Sequence, residues 1–434
     1  MTEQGQGLVP KLRFPEFRDD AEWVATPLRQ LCTPISEKVG NAKLTPVSIT
    51  AGKGFVSQAS KFGRDISGEQ YRNYTFLRKG DFAYNKGNST AFPQGYVCQL
   101  TEFDEAAASS AFLCFQLNEE QQPRFIQALF DQNVHGRQLA SFITSGARSN
   151  GLLNIRSDDF YGVKLPLPPE AAEQQKIAEC LLSLDALIDA EKDKLAALRD
   201  HKKGLMQQLF PRPERIENGE KIPAENTPRL RFPEFRSAGE WEWTTVDAIA
   251  EIFKGKGISK ADIISDGQQP CVRYGELYTT YGEVIDEVTS RTNVPKRDLF
   301  MSRANDVIIP SSGETKIDIA TAACVLRDDI ALGGDLNVIR SAHDGTFLSY
   351  FFNGPLKYSI AKVAQGDSVV HLYPSQIGSL NIAIPSADEQ KRIADTMFAV
   401  DRALVERRNR ITALTAHKSG LMQQLFPSPC EAAE

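Results

Sequence analysis

The sequence predicts an α+β protein: two bodies separated by two long helices that form an antiparallel coiled coil, with an internal pseudo-two-fold repeat. A long helical stretch occurs twice, from Glu173 and from Glu389, and both copies end in GLMQQLFP. A shorter tag also occurs twice, as KLRFPEFRDDAEW from Lys11 and RLRFPEFRSAGEW from Arg229. The stretches between these repeats mix short β-rich runs with helical patterns. A unit this long exceeds the roughly 20 to 50 residues of a solenoid repeat, so the sequence indicates duplicated domains.

The two helical stretches carry a narrow apolar seam. Alternating steps of four and three residues from Ile177 and from Ile393 meet apolar residues at eight of ten positions in each copy. This period and width are typical of a coiled-coil contact rather than of a globular core. A duplicated unit in one chain favours a two-fold arrangement, which predicts antiparallel pairing over ~37 residues, or about 55 Å.

Charged residues interrupt the seams at matching repeat positions, Glu191 and Lys202 in the first copy and Arg407 and Lys418 in the second. An antiparallel pair brings the mid-helix positions closest together. We therefore expect Glu191 and Arg407 to approach each other across the seam and to set its register. Solvated positions on the two helix faces are the alternative.

The predicted boundaries follow the repeats. They are a first body at 1–168, its helix at 169–211, a linker at 212–228, a second body at 229–385, its helix at 386–427 and a tail at 428–434. Ser386 and Glu389 have the spacing of a capping box at the start of the second helix. Each tag, with alternating aromatics and a proline, suits an extended strap docked on a body or helix.

Composition limits the function classes. No apolar run approaches the roughly 18 residues of a membrane span, and the first residues lack the basic-then-apolar order of a secretory signal. Seven scattered cysteines favour neither a zinc site nor a disulfide framework, so we expect a cytoplasmic location. No phosphate loop, H-E-x-x-H, G-x-S-x-G or methyltransferase motif is present, so no catalytic or metal-binding residue is predicted.

The net charge of −6 does not favour nucleic-acid binding, but the charge is unevenly distributed. Residues 38–100 carry nine basic and three acidic side chains, whereas 229–385 carry 16 basic and 20 acidic ones. Polar and aromatic loop clusters stand out in both bodies, with residue types that contact phosphates and base edges. The DNA-binding candidates are Lys53, Lys61, Arg64, Arg72, Tyr74, Lys79, Asn85, Lys86, Asn88, Ser89 and Arg148 in the first body, and Lys254, Lys256, Ser259, Lys260, Arg273, Tyr274, Ser311, Ser312, Thr315, Lys316, His371 and Tyr373 in the second.

The FPEF tag, the paired GLMQQLFP helices and the two dissimilar bodies together resemble the specificity subunit of type I restriction–modification enzymes. The resemblance covers essentially the full chain. It implies that each body is a target recognition domain for one half of a bipartite sequence in double-stranded DNA, and that the helices dock two modification subunits. In that family, restriction subunits join later, S-adenosylmethionine, ATP and Mg belong to the partner subunits, and the specificity chain is not an enzyme and holds no cofactor.

Two other classes remain open from the residues alone. A two-domain coiled-coil scaffold would bind proteins without DNA contact, and a methyltransferase with diverged motifs would bind its cofactor by itself. Salt-dependent DNA binding separates the first from a specificity subunit, and cofactor binding by the lone chain separates the second. Because the bodies differ in sequence, we expect the two half-sites to differ.

Overall fold

The computed structural model describes residues 8–50, 52–87, 92–143, 153–217, 220–366 and 369–427. The chain divides into two compact units. The first unit is Met1–Ala190 with Ile411–Glu434, and the second is Glu191–Arg410. Each unit therefore contains one body and one part of each long helix.

In its described residues, the first body contains ten strands and four short helices, and it leads into a long helix. The strands are β1 (Val24–Pro27), β2 (Cys32–Pro34), β3 (Pro46–Thr50), β4 (Gly54–Ser57), β5 (Thr75–Arg78), β6 (Phe82–Asn85), β7 (Tyr96–Gln99), β8 (Glu105–Ala108), β9 (Leu113–Leu117) and β10 (Lys164–Leu167). The helices are α1 (Gln58–Phe62), α2 (Pro123–Asp131), α3 (Val134–Leu139), α4 (Ser157–Tyr161) and the long α5 (Ala171–Gln208).

Two four-stranded sheets form this body, in the orders β2-β9-β6-β7 and β4-β3-β8-β5, and β1 pairs with β10. Side chains alternate across a strand, so β6 serves two cores. Phe82 and Tyr84 pack in the cluster that contains Phe125 of α2, whereas Ala83 lies in the cluster with Val47 of the other sheet. The layers are therefore helix, sheet and sheet.

The second half begins with a linker hairpin and ends with the second long helix. Its strands are β11 (Arg215–Glu217), β12 (Glu220–Ile222), β13 (Glu242–Thr245), β14 (Ala250–Lys254), β15 (Gln269–Val272), β16 (Val284–Ile285), β17 (Arg291–Thr292), β18 (Phe300–Met301), β19 (Asp306–Pro310), β20 (Ser312–Gly313), β21 (Ala323–Val325), β22 (Ala331–Leu332), β23 (Leu336–Ser341), β24 (Val370–His371) and β25 (Asn381–Ile384). Its helices are α6 (Val246–Ile249), α7 (Glu276–Thr279), α8 (Gly345–Asn353), α9 (Lys357–Val363), α10 (Pro374–Gly378) and α11 (Ala387–Leu425).

The second body repeats the layering of the first with different strands. Its sheets run β14-β23-β19-β21-β16 and β17-β15-β22-β18, and β13 pairs with β25 as β1 pairs with β10. Along β19, Val307 and Ile309 pack in the cluster of Phe347 from α8, whereas Ile308 packs with Leu332 of the other sheet. The α+β prediction is confirmed in both bodies.

The long helices pair antiparallel inside each unit, as predicted. In the first unit, Ile177 and Leu181 share a core with Met422 and Leu425. In the second unit, the two long helices also run in opposite directions. Leu209 just after α5 shares a core with Ile393 near the start of α11, and Glu191 contacts Arg407 near the middle of both helices. All twenty seam positions are buried or half-buried.

The predicted contact between the mid-helix charges is confirmed within the second unit. Arg407 Nη1 donates to Glu191 Oε2 at 2.8 Å, and Lys194 Nζ donates to Glu191 Oε1 at 3.4 Å. Arg410 Nε lies 3.6 Å from the same carboxylate. Hydrogen bonding to Arg407 lowers the pKa of Glu191, so the carboxylate remains charged among these cations.

Both tags dock on a long helix as straps, as predicted, and the two use the same contacts. They are not extended throughout, because each contains a short 3₁₀ turn, at Pro15–Phe17 and at Pro233–Phe235. Arg13 binds the Glu173 carboxylate at 2.8 and 2.7 Å, and Arg231 binds Glu389 at 2.8 and 2.7 Å. The backbone N–H of Leu12 donates to Gln424 O at 2.9 Å, so the first strap also holds the end of α11. The Leu230 N–H donates in the same way to Gln208 O at the end of α5.

The predicted capping box at the second long helix is half wrong. Ser386 Oγ accepts a long hydrogen bond from the Glu389 N–H at 3.4 Å. The Glu389 carboxylate, however, is bound by Arg231 of the strap instead of returning to the serine N–H. A bidentate arginine outcompetes a single backbone donor because the charge-assisted pair is stronger.

Candidate nucleic-acid interface

In both bodies, the loop after the central strand meets a segment that returns much later in the chain. Lys86 follows β6, and its carbonyl accepts from the Leu153 N–H at 3.0 Å. Ser311 follows β19, and its carbonyl accepts from the Leu372 N–H at 3.1 Å. The two bodies therefore bring the same pair of segments together with different residues.

In the second body, this junction forms an exposed surface that we call the β20–β24 surface. It consists of Ser312, His371, Tyr373 and Tyr278. Ser312 pairs with His371 between β20 and β24, and the His371 and Tyr373 rings lie nearly parallel, with centroids 6.3 Å apart. Tyr278 Oη donates weakly to the Ser312 carbonyl at 3.5 Å, and Tyr373 is 48% exposed. Exposed rings beside hydroxyl and imidazole groups are suited to contact base edges and sugars.

The loop that continues from this surface carries two further candidates. Thr315 Oγ1 donates to Asp318 Oδ2 at 2.6 Å and so closes the loop on itself. Lys316 beside it is exposed and makes no ion pair within the described ranges. Lys316 is therefore available to a phosphate, whereas the Thr315 hydroxyl is already engaged.

A second cluster in this body forms where two backbone segments cross closely. A Cβ at Gly255 would lie 2.0 Å from the Gly333 carbonyl oxygen, so only glycine fits there. The crossing gathers Lys254, Lys256 and Arg273, and burial lowers the pKa of Lys254. The Arg273 Nε is buried without a hydrogen-bond partner among the described residues, which suits a donor awaiting an anion.

The other candidates of the second body have local roles or lie apart from this crossing. Ser259 Oγ donates to Asp262 Oδ2 at 2.7 Å in a short turn, and Lys260 is exposed beside it. Tyr274 is half-buried against Tyr278, with ring centroids 6.2 Å apart.

The first body presents a group of exposed cations around β4 and α1. Lys53 in the β3–β4 turn, Arg64 after α1 and Arg72 are exposed and have no ion-pair or hydrogen-bond partner for their side chains in the part of the chain that the structure describes. Lys61 is different, because its Nζ donates to Ile49 O at 2.9 Å and burial lowers its pKa. Lys79 lies 3.5 Å from Asp104.

Near the first-body junction, the polar candidates are held by local hydrogen bonds. Asn85 Oδ1 accepts from the Gly87 N–H at 2.9 Å. Lys86 Nζ donates to the Ile155 carbonyl at 2.7 Å, so its amine ties the two segments together. These bonds fix the shape of the junction and leave less of either side chain for a ligand.

Two candidates are corrected by their burial, and three cannot be placed. Tyr74 is 7% exposed, packs beside Tyr71 and accepts from Gln58 Nε2, so its ring belongs to the core. Ser311 is also buried, and its carbonyl holds Leu372. The remaining three, Asn88, Ser89 and Arg148, lie outside the described residues.

Two exposed aromatic residues at these clusters were not predicted from the sequence. Tyr278 completes the β20–β24 surface, and Phe62 is exposed between Lys61 and Arg64. The Tyr274 and Tyr278 spacing of four residues was a usable signal, because it places both rings on one face of a helical turn.

No helix in the described ranges is both long and apolar enough to cross a membrane. The same ranges contain no group of three or more His, Cys, Asp or Glu side chains arranged to hold a metal ion.

Residues 49–200 and 238–414 match the family model of the type I restriction modification DNA specificity domain. The chain is 22% identical over 305 residues to the type I restriction enzyme MjaVIII specificity subunit of Methanocaldococcus jannaschii, and 22% identical over 303 residues to the putative MjaX specificity subunit of the same organism. These alignments cover 66% and 67% of this chain, and 66% and 65% of the two relatives. The chain thus spans just under two thirds of their length.

The fold also matches a solved structure. The crystal structure of the type I restriction–modification S subunit from M. genitalium superposes with a TM-score of 0.58 at 15% identity, covering 97% of this chain and 100% of that one. At this identity the likeness concerns the fold alone. Because the family model matches most of the chain, once in each half, the chain belongs to the family of type I restriction–modification DNA specificity proteins.

Proposed function

We propose that this chain is the sequence-specific DNA-binding subunit of a type I restriction–modification complex and reads an asymmetric bipartite target. The observation that carries this proposal is the shared junction of the two bodies. The same two segments meet after β6 and after β19, yet the first junction is tied by local hydrogen bonds of Asn85 and Lys86, whereas the second exposes His371 and Tyr373 beside Ser312. One scaffold with two surface chemistries suits two different half-sites.

The cations of the two bodies would supply the sequence-independent part of the affinity. Lys53, Arg64 and Arg72 in the first body and Lys316 and Arg273 in the second are the groups that we assign to phosphates. Phosphate contacts fix the register of a protein on DNA, and the polar and aromatic junctions would then read the bases. The remaining candidates are kept as secondary contacts, apart from the buried Tyr74 and Ser311.

The long helices would dock two modification subunits, and restriction subunits would join the assembly. Exposed apolar side chains on their outer faces fit a docking role, namely Leu182 and Leu187 on α5 in the first unit and Val405 on α11 in the second. The assembled complex would then act as an adenine methyltransferase and an ATP-dependent endonuclease. In this proposal S-adenosylmethionine, ATP and Mg are bound by the partner subunits, and this chain supplies recognition only.

We place the protein in the cytoplasm. The six cysteines within the described ranges carry free thiols, and five of them are buried, which fits a reducing compartment.

DNA binding by the full chain tests the proposal. The triple variant Lys53→Gln/Arg64→Gln/Arg72→Gln should bind duplex DNA more weakly than the wild type. The slope of log affinity against log salt should become shallower by about 0.9 for each phosphate that the variant no longer neutralises. Affinity measured over a salt series with a pool of random duplex DNA gives both quantities.

A matched control carries the same change of charge at paired lysines. Lys221→Gln/Lys296→Gln/Lys391→Gln removes three cations that already lie 2.9, 2.8 and 3.1 Å from a carboxylate. Its salt slope should equal that of the wild type. If the wild type shows no salt-dependent binding, the protein-binding scaffold becomes the better account; methylation by the lone chain would instead favour a methyltransferase.

A further inference from the structure

The same aspartate–lysine pair joins the long helices in each unit. In the second unit, Lys202 Nζ of α5 lies 2.6 Å from Asp401 Oδ1 of α11. In the first unit, Lys418 of α11 forms the same pair with Asp185 of α5. Lys202 corresponds to Lys418, and Asp185 to Asp401, at the offset that relates the two helical repeats. The pair is therefore one feature that occurs twice with the helices exchanged.

Each pair also contacts the body of its own unit. In the second body, Lys202 Nζ donates to Glu283 Oε1 at 2.7 Å, and Tyr350 Oη of α8 donates to Asp401 Oδ2 at 2.6 Å. In the first body, Arg124 of α2 donates to Asp185. A helix, its antiparallel partner and a body thus meet at one ionic cluster in each unit.

The contacts come from equivalent places in the two bodies. Phe125 of α2 packs against Trp23, with centroids 5.6 Å apart, and Phe347 of α8 packs against Trp241 at 5.7 Å. The helices α2 and α8 therefore hold the same position, and each supplies the donor to the aspartate. In the second body, Glu283 adds a rigid contact, because it precedes β16 and its carbonyl accepts from the Cys324 N–H of β21.

Stability alone does not account for a lysine at these positions. Lys202 and Lys418 occupy seam positions at which the 3.5-residue spacing predicts an apolar residue. Their side chains are only 16% and 18% exposed. Removing such charges from water costs free energy that a pair seldom recovers, so replacing them by apolar residues is often neutral or stabilising. Burial and Glu283 also raise the pKa of Asp401, against the effect of Lys202. Polar groups in a coiled-coil seam are best known for fixing geometry.

We propose that Asp185–Lys418 and Lys202–Asp401 are positioning residues that fix the orientation of each body on the helix pair and thereby set which separation of half-sites the protein accepts. The inference rests on the proposed function, because it assumes that the bodies read DNA. The charge-assisted hydrogen bonds that Arg124 and Tyr350 donate to the aspartates, and that Glu283 accepts from Lys202, are directional. Apolar packing between a body and a helix, in contrast, tolerates rotation. Without these bonds, each body would keep its own base preference but would lose its fixed orientation on the helix pair.

Two variants of the full chain test this inference in the second unit. Lys202→Met keeps an unbranched side chain in the seam and removes the charge, whereas Glu283→Gln leaves the Lys202–Asp401 pair intact and weakens only the contact to the body. The matched controls are Lys203→Met and Glu287→Gln, at exposed neighbours without an ion pair in the described part of the chain. Selection of binding sites from random duplex DNA then gives the two half-site sequences and the distribution of their separations.

Both test variants should select the same half-site sequences as the wild type. Their preference for the best separation over separations one base pair longer or shorter should fall roughly three- to tenfold, with the larger loss in Lys202→Met. Thermal unfolding shows whether Lys202→Met folds, and if it does not, Glu283→Gln alone decides. A separation preference as narrow as that of the controls would overturn the inference. A wild type that selects no bipartite site would instead contradict the proposed function.

Discussion

The two units differ where they face a ligand and agree where they hold the helices. Each strap places an arginine on the first turn of a long helix, at Glu173 and at Glu389, with the same two distances. Behind each strap, Trp23 and Trp241 are buried against Phe125 and Phe347. The bodies themselves share little sequence beyond these contacts.

This difference shows which residues hold the bodies to the long helices. The strap arginine keeps its residue type in both copies, because each long helix offers the strap the same glutamate. A position inside a body has a different partner in each copy. Asp306 and the corresponding Asp81, for example, both accept from the backbone N–H three residues earlier, of Arg303 and of Arg78, but Asp306 is also bound by Arg340 at 2.8 and 2.7 Å. The contacts between the straps and the long helices therefore constrain the sequence more tightly than the contacts inside the bodies do.

The largest effect should come from the strap arginines. Arg13→Ala and Arg231→Ala each leave a glutamate that is 1% exposed without its cation, which should cost about 3–5 kcal/mol of stability. Chemical denaturation of the full chain measures this loss, and the controls are Arg18→Ala and Arg236→Ala at exposed positions of the same tags. Similar losses in both variants would show that the two straps are equivalent, whereas a loss in only one unit would contradict that equivalence.

A smaller effect should distinguish the bodies. His371→Ala/Tyr373→Ala removes the exposed rings of the β20–β24 surface, which should reduce discrimination at one half-site by about 1–3 kcal/mol. The other half-site should remain unchanged, because the first body has no part in this surface. Site selection from random DNA gives both half-sites in one measurement, and Tyr358→Ala, an exposed tyrosine outside the surface, serves as the control. Equal loss at both half-sites would contradict independent bodies.

The smallest effect should come from the centre of the helix pair. The pKa of Glu191 is lowered from 4.5 by Arg407, so its pairing stabilises the fold above pH 4.5 and is lost as pH falls through the lowered value. Glu191→Gln should therefore be less stable than the wild type near neutral pH, and the difference should vanish in acid. Thermal unfolding at several pH values tests this, with Glu406→Gln at an exposed helix position as the control. A difference that persists unchanged in acid would mean that the charge has no role.

The features that could be predicted from the sequence were those with a repeat or a period. The seam, the straps and the Glu191–Arg407 contact follow from a 3.5-residue spacing and from two copies of the same residues. The capping partner of Glu389 was missed because Arg231 lies 158 residues away and competes for the carboxylate. Tyr74 was misplaced because its burial depends on how neighbouring segments pack.

The ionic clusters beside the seam could not be predicted from the sequence for a similar reason. Lys202 and Lys418 were visible as interruptions, but Arg124, Glu283 and Tyr350 belong to bodies that do not repeat. No spacing links them to the helices. Only the packing of α2, of α8 and of the edge of the larger second-body sheet brings them to Asp185, Lys202 and Asp401.

The opposite charges of Glu191 and Arg407 have a consequence for the gene. The two helical segments share the identical ending GLMQQLFP, so we consider an exchange between the two coding segments that begins there. A conversion event that extended from this ending and copied codon 191 over codon 407 would place two carboxylates at the contact, and the reverse event would place two guanidinium groups there. Either product would lose the central ion pair, so selection at these two codons would oppose the homogenisation that duplicated coding segments otherwise undergo.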